Sequence, residues 1–227
     1  MKYYYRRHLP HIIVKDSIYF ITSRLAGSLP KEITDTLRQQ YLKELQKIAS
    51  YRNPGTKSQK YYELKLSYFY KYENFLHHYS SGPTWLGIDE IAKIVYDSIL
   101  FRDKKIYDLY AFTIMFNHIH LIIKPITDAN GFLLYNKRSE MKIGRKVPTE
   151  YILGDIMESL KRFTATRCNK VLSKKGTFWQ HENYDHIVRH YKELLRIINY
   201  TLENPVKAGK VNSFEEYKWN YYNPQLL

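Results

Sequence analysis

The segment Phe116-Asn117-His118-Ile119-His120-Leu121-Ile122-Ile123 narrows the possible folds more than any other stretch. Read as a strand, it sends alternate side chains to opposite faces, so His118 and His120 point one way and Ile119 points into a core. Their backbones then stand roughly 6.7 Å apart. Two imidazoles on the strand's face need partners, because burying a polar group unpaired costs a few kcal/mol, roughly. A shared divalent cation is one solution, since neutral imidazole is a common metal ligand. Two partly exposed histidines at a sheet edge are the other.

The neighbouring patterns build a sheet around that strand. Residues 18–25 alternate and read as a strand, 107–115 as another, and 118–124 as the histidine strand, with a tight connection at Asn117. A short strand is expected at 184–189. Apolar residues at helical spacing predict helices over 32–49, 88–101, 149–171 and 191–202. In the third of these, Ile152, Ile156, Leu160 and Phe163 form the expected inner stripe. Asn53-Pro54-Gly55 reads as a break, and 61–79 as a Lys- and Tyr-rich helical arm. Pro205 stops the last helix, because the residue before a proline avoids helical geometry. The tail from Val211 is expected to be irregular. Strands alternating with helices, with one hairpin, predict an α+β fold: a four- or five-stranded antiparallel sheet with helices on one face. One domain spanning 1–227 is expected, with a basic helical insertion at about 31–105 and a mobile polar loop at about 126–148.

Composition excludes several classes. No apolar run approaches the length of a membrane span, and the basic N-terminus lacks the apolar stretch of a secretory signal, so a cytoplasmic protein is expected. The single cysteine, Cys168, rules out an internal disulfide and a Cys-rich zinc site. Lys and Arg total 36 against 22 acidic residues, a net charge of +14 that favours polyanions. The 23 tyrosines, interleaved with cations, suit single-stranded nucleic acid, where bases stack and phosphates are neutralised. An AT-rich genome raises Lys, Tyr, Ile and Asn as well, so composition leaves both explanations standing.

The last helix offers partners for the histidines. Tyr200 and Asn204 are four apart and share a face. The Asn204 amide oxygen can be a third metal ligand, and the Tyr200 hydroxyl can sit over whatever the metal holds. Alternatively, Tyr200 packs and Asn204 ends the helix.

A family resemblance covers most of the chain outside residues 31–105 and the loop near 126–148. It is carried in order by RRHLPHI (6–12), YFITSRLAGSLP (19–30), FNHIHLIIKP (116–125), SLKRFTATRCNK (159–170), FWQHENYDHIVR (178–189) and INYTLENPVKAGKV (198–211). The series resembles the HUH single-tyrosine transposases, and among them the REP-associated tyrosine transposases. That resemblance implies a ferredoxin-like sheet with the histidine pair on a central strand. It implies Tyr200 as nucleophile, His118 and His120 as metal ligands, and Asn204 as the third ligand, with Glu203 the alternative oxygen donor. It also implies cleavage and rejoining of single-stranded or hairpin (REP-like) DNA through a 5′-phosphotyrosine link, by a monomer or a homodimer at the nucleoid. Two histidines and an amide oxygen tolerate Mg²⁺ and favour Mn²⁺ by ligand type. The long basic section after the first strand departs from the smallest members of that family.

Lys161, Arg162, Arg167, Lys170 and Arg189 are the expected DNA contacts, with Arg6 and Arg7 beside them. Phe178 and Trp179 read as packing more than base stacking. His186 reads equally as a phosphate-orienting or a structural histidine, and Asp185 as a partner for an arginine. Tyr191 is a second tyrosine without the Asn-Pro context. Two other activities fit parts of this pattern: a catalytically silent hairpin DNA- or RNA-binding regulator, and a metal-free phosphodiesterase with the histidines as acid and base. The last needs the two histidines on different elements, which one strand does not provide.

Overall fold

A computed structural model describes residues 2–6, 10–14, 16–78, 81–127 and 152–226. All but the first two residues of the loop expected at 126–148, the first three residues of the helix expected at 149–171, and Arg7 lie outside the described residues. The chain divides into two compact units, Met1–Arg24 with Trp85–Leu227, and Leu25–Thr84. The stretch 85–105 of the expected insertion therefore groups with the sheet.

The Leu25–Thr84 unit is a pair of helices behind a turn. Helix α1, Lys31–Ala49, buries Leu37, Tyr41 and Ile48 along one side. Helix α2, Pro54–His78, buries Phe69 and Leu76. Asn53-Pro54-Gly55 starts α2 as well as ending α1. Asn53 Oδ1 accepts from Thr56 N–H at 2.9 Å, and Pro54 sits in the first turn, where its missing N–H costs nothing. The Tyr41 and Tyr68 rings meet across the pair at 5.0 Å. In the preceding turn Gly27 has φ +78°, and a Cβ on Gly82 would stand 2.7 Å from the Gly27 carbonyl oxygen, so both places demand glycine.

The larger unit holds the sheet. Strands β1 (Lys2–Arg6) and β2 (Pro10–Val14) form a separate antiparallel hairpin. The Tyr19 hydroxyl donates to the Val14 carbonyl at 2.8 Å and accepts from the Val14 N–H at 2.7 Å, tying that hairpin to the sheet. The main sheet contains β3 (Ile18–Arg24), β4 (Tyr107–Ile114), β5 (His118–Pro125), β6 (Tyr184–Val188) and β7 (Asn220–Tyr222). Its order is β6-β3-β5-β4-β7, and every neighbouring pair is antiparallel. The histidine strand β5 is central and its interior is buried on both faces. Met115 N–H donates to the His118 carbonyl at 2.8 Å and closes the tight β4–β5 connection.

Helices α3 (Asp89–Arg102) and α4 (Ile152–Val171) complete a β-α-β-β-α-β series around β3 to β6, the ferredoxin-like arrangement. They lie on the face opposite the histidines. Tyr96 of α3 meets Phe112 at 5.1 Å, and Phe112 pairs with Leu121, one residue out of phase with His120. The Arg102 guanidinium bonds Ser98 on its own helix and Ser159 on α4. Helix α5 (Tyr191–Leu202) adds a layer on the other face, and one further turn, α6 (Asn204–Lys207), follows it. The tail is less irregular than its sequence predicts: β7 extends the sheet beside β4. Phe163 departs from the expected inner stripe. It is 45% exposed, and Thr164 and Cys168 take the inner positions instead.

Candidate metal and nucleophile site

The site is built on the α5 face of the sheet. Strand alternation puts His118 and His120 side by side, and both are fully buried. Each ring is held from behind. His118 Nδ1 lies 2.7 Å from Asn117 Oδ1, and His120 Nδ1 lies 2.9 Å from the Thr22 hydroxyl on β3. Phe20 stacks against the His120 ring at 5.3 Å. Such outer hydrogen bonds fix the tautomer and orientation of ligating histidines.

The tautomers follow from the partners. Asn117 Oδ1 only accepts, so the His118 proton is on Nδ1 and its Nε2 is a lone pair. The Asn204 amide nitrogen lies 3.2 Å from His120 Nε2 and donates to it. That atom is then also a lone pair, and the His120 proton goes to Thr22. The two Nε2 atoms are 3.2 Å apart, lone pair toward lone pair. Two ligands at about 2.1 Å from one ion, at tetrahedral to octahedral angles, are about 3.0–3.4 Å apart. The buried Asn204 Oδ1 has no hydrogen-bond partner. Turning the amide over brings this oxygen toward the histidines as a third donor. Burial pushes the His120 imidazole down to about 3, so it is neutral, as a ligand must be. Spacing, tautomers and the orphaned oxygen all fit a bound divalent cation.

Tyr200 stands beside this cluster. Its ring is half-buried, with its centroid 5.8 Å from that of His120 and 6.2 Å from that of Phe20. Lys207 Nζ lies 4.9 Å from the centre of the Tyr200 ring. Tyr200 and Asn204 share a face because the backbone stays helical through Glu203, which is half-exposed. Glu193, three residues into α5, anchors the helix. Its carboxylate accepts from Arg189 N–H at 2.8 Å and meets His186 Nε2 at 3.0 Å, while His190 caps the helix. His186 is thus a structural histidine pinning β6 to α5. Tyr191 is exposed at the far end of α5.

The expected DNA contacts divide. Arg162, Arg167, Lys170 and Arg189 are exposed. Lys161 is turned inward: its ammonium donates to the carbonyls of Gln180 at 2.6 Å and His181 at 3.1 Å. Burial and then the nearby Arg24 push its amine down to about 7, against the opposing pull of Glu182. The half-buried side chain thus ties α4 to the 180–181 segment. Trp179 is buried and donates to Thr164 at 2.8 Å, and Phe178 stacks on Trp85 at 5.6 Å, so both pack. Thr22 and Lys207 had no signal in the sequence, because one acts through a strand partner and the other through a ring contact, while Asn117 read only as the connection between strands.

The fold and the site together define an α+β protein with a buried imidazole–amide cluster beside a tyrosine on a separate helix. The chain is similar to one solved structure, described as a REP-associated tyrosine transposase bound to a REP hairpin, with a TM-score of 0.44 and 14% identity. That similarity covers 95% of this chain and 80% of that one. No family model and no curated protein matches the chain. No helix among the described residues is long and apolar enough to cross a membrane.

Proposed function

We propose that this protein is a metal-dependent, single-strand DNA nuclease and strand transferase that works on hairpin DNA in the cytoplasm, at the nucleoid. The observation that carries the reading is the meeting of His118 Nε2, His120 Nε2 and the Asn204 amide within 3.2 Å contacts, next to the Tyr200 ring. His118, His120 and Asn204 hold Mn²⁺ or Mg²⁺. When bound, the cation supplies Lewis-acid polarisation of a phosphate oxygen. Asn117 and Thr22 keep the two Nδ1 protons, so both Nε2 atoms stay available. The Tyr200 phenol oxygen attacks phosphorus as its proton leaves. A 5′-phosphotyrosine bond forms, the bond to the 3′ oxygen breaks, and that oxygen takes up a proton. A second 3′-hydroxyl reverses the step and joins strands, because the tyrosyl ester keeps the bond energy. Arg162, Arg167, Lys170 and Arg189 take backbone phosphates of the bound strand.

The test is a covalent-adduct assay with Mn²⁺ and labelled hairpin oligonucleotides drawn from the DNA flanking the gene. Wild type is expected to give a protease-sensitive, slower band on a denaturing gel. Tyr200→Phe is expected to give none while still binding. A Tyr200→Phe protein that still forms the adduct overturns the assignment. Tight binding with no adduct in wild type would favour the silent regulator.

A further inference from the structure

Seven residues beyond Tyr200, the chain brings a lysine back over its ring. Helix α5 passes into α6 with Glu203 itself helical, and Lys207 N–H donates to the Glu203 carbonyl at 3.0 Å. At that spacing Tyr200 and Lys207 share the face that also carries Asn204. A long helical side chain leans back toward the N-terminus of its helix, which is the direction of Tyr200. The helix stops just after Lys207. Gly209 N–H donates to the Val206 carbonyl and Lys210 N–H to the Pro205 carbonyl, both at 2.9 Å, the pattern of a Schellman cap. The stem of Lys207 therefore rises from a closed turn.

The Lys207 ammonium lies 4.9 Å from the centre of the Tyr200 ring. Lys207 is exposed and pairs with no carboxylate among the described residues. A solvated cation on a ring face is held weakly, and a charge-assisted hydrogen bond to a phosphate oxygen is the stronger alternative. Attack by Tyr200 brings such an oxygen to that ring. Once the phenol oxygen has bonded to phosphorus, the phosphate belongs to the Tyr200 side chain, at the edge of the ring that the ammonium overlies. The flexible four-carbon stem of a lysine lets Nζ follow it. Lys210 is the contrast. It leaves the same turn and is also exposed, but its ammonium lies 5.2 Å from the centre of the Phe116 ring.

We propose that Lys207 binds the reacting phosphate: its ammonium donates to a non-bridging oxygen of the phosphodiester that Tyr200 attacks, and keeps that contact in the phosphotyrosine. This rests on the nuclease reading above. The non-bridging oxygens carry the negative charge of the diester, and an ammonium has three donors and no acceptor.

The experiment measures affinity with Mn²⁺ in a Tyr200→Phe background, which stops the chemistry and keeps a ring under the ammonium. The strand is one that wild type joins covalently. It is made as the full phosphodiester, with an uncharged methylphosphonate at the cleavage position, or with the methylphosphonate one nucleotide away. Each protein gives a ratio of affinities, diester over methylphosphonate, at each position. At the cleavage position the ratio is expected to fall by about ten-fold in Lys207→Met, the effect of one charge-assisted contact. At the neighbouring position it is expected to stay within about two-fold. Lys210→Met is expected to keep the ratio at the cleavage position. Each ratio is internal to one protein, so a loss of folded protein does not imitate the effect. An unchanged ratio at the cleavage position in Lys207→Met, or an equal fall in Lys210→Met, overturns the assignment of Lys207 alone. Absence of any adduct in wild type overturns the nuclease reading, and this assignment with it.

Discussion

The two faces of the central sheet are filled by different rules. On one, Ile119, Leu121 and Ile123 meet Phe112 and the inner sides of α3 and α4, all fully or nearly fully buried. Polar groups that enter that layer bring their partners. Thr164 accepts from Trp179 and donates to the Leu160 carbonyl, and Tyr107 donates to the Ile99 carbonyl at 2.8 Å. Ser23 Oγ is one exception there. On the other face, His118, His120, Thr113, Thr201 and Asn204 are equally buried, yet Thr113, Thr201 and Asn204 each leave an oxygen unpaired. Native interiors rarely tolerate such oxygens without a purpose. One face pairs most of its buried polar groups, and the other leaves these three oxygens without a hydrogen-bond partner.

That contrast can be broken by experiment. Leu121→Ala, on the apolar face, should cost about 2–5 kcal/mol in urea denaturation, through lost burial and the cavity left behind. Mn²⁺ at a hundred times its dissociation constant should stabilise wild type by about 2.7 kcal/mol in a thermal melt. His118→Ala and His120→Ala should lose that gain, while Leu121→Ala keeps it.

A matched pair of threonines compares the faces directly. Thr164→Val strands the Trp179 N–H and should cost about 1–3 kcal/mol, whereas Thr113→Val removes an unpaired oxygen and should fall within about 0.5 kcal/mol of wild type or above it. Equal losses at the two positions would erase the distinction between the faces. A pH dependence is expected at Lys161. Its amine is lowered to about 7 when folded, against about 10.4 when unfolded. Between those values the unfolded chain binds the extra proton, so stability should rise with pH from 7 toward 10, by at most about 1.4 kcal/mol per unit. Below pH 7 the slope should vanish, and Lys161→Met, melted at pH 7 and 9, should lack it.

The histidine strand and the Tyr200–Asn204 pair were legible because their periods are local: two along β5 and four along α5. The opposed partner Thr22 was not, since it acquires its role only when β3 takes its register against β5. Strand β4 shows the same limit. Read with strict alternation, Tyr107, Leu109, Ala111 and Thr113 share one face. A bulge between Leu109 and Ala111 breaks the phase. Phe112 therefore falls in with Leu121, and Thr113 comes beside His120. Nothing in the sequence around Tyr110 marks that extra residue. Phe163 and Lys161 traded the expected inside and outside for a tertiary reason: the 180–181 carbonyls offer an ammonium two acceptors beneath the surface, while the Arg102 and Arg167 guanidiniums flank the Phe163 ring at 5.7 and 5.3 Å.

Strand β7 has a consequence in time. Asn220 on that strand donates its amide to the Leu202 carbonyl at 3.0 Å, at the end of the helix that bears Tyr200, and to the Phe214 carbonyl at 2.9 Å. During translation the histidine strand leaves the ribosome about a hundred residues earlier, some five to twenty seconds at ordinary elongation speeds. Through that interval the nascent chain carries its imidazoles without an anchored tyrosine. Helix α5 therefore gains this anchor at its C-terminal end only after that interval.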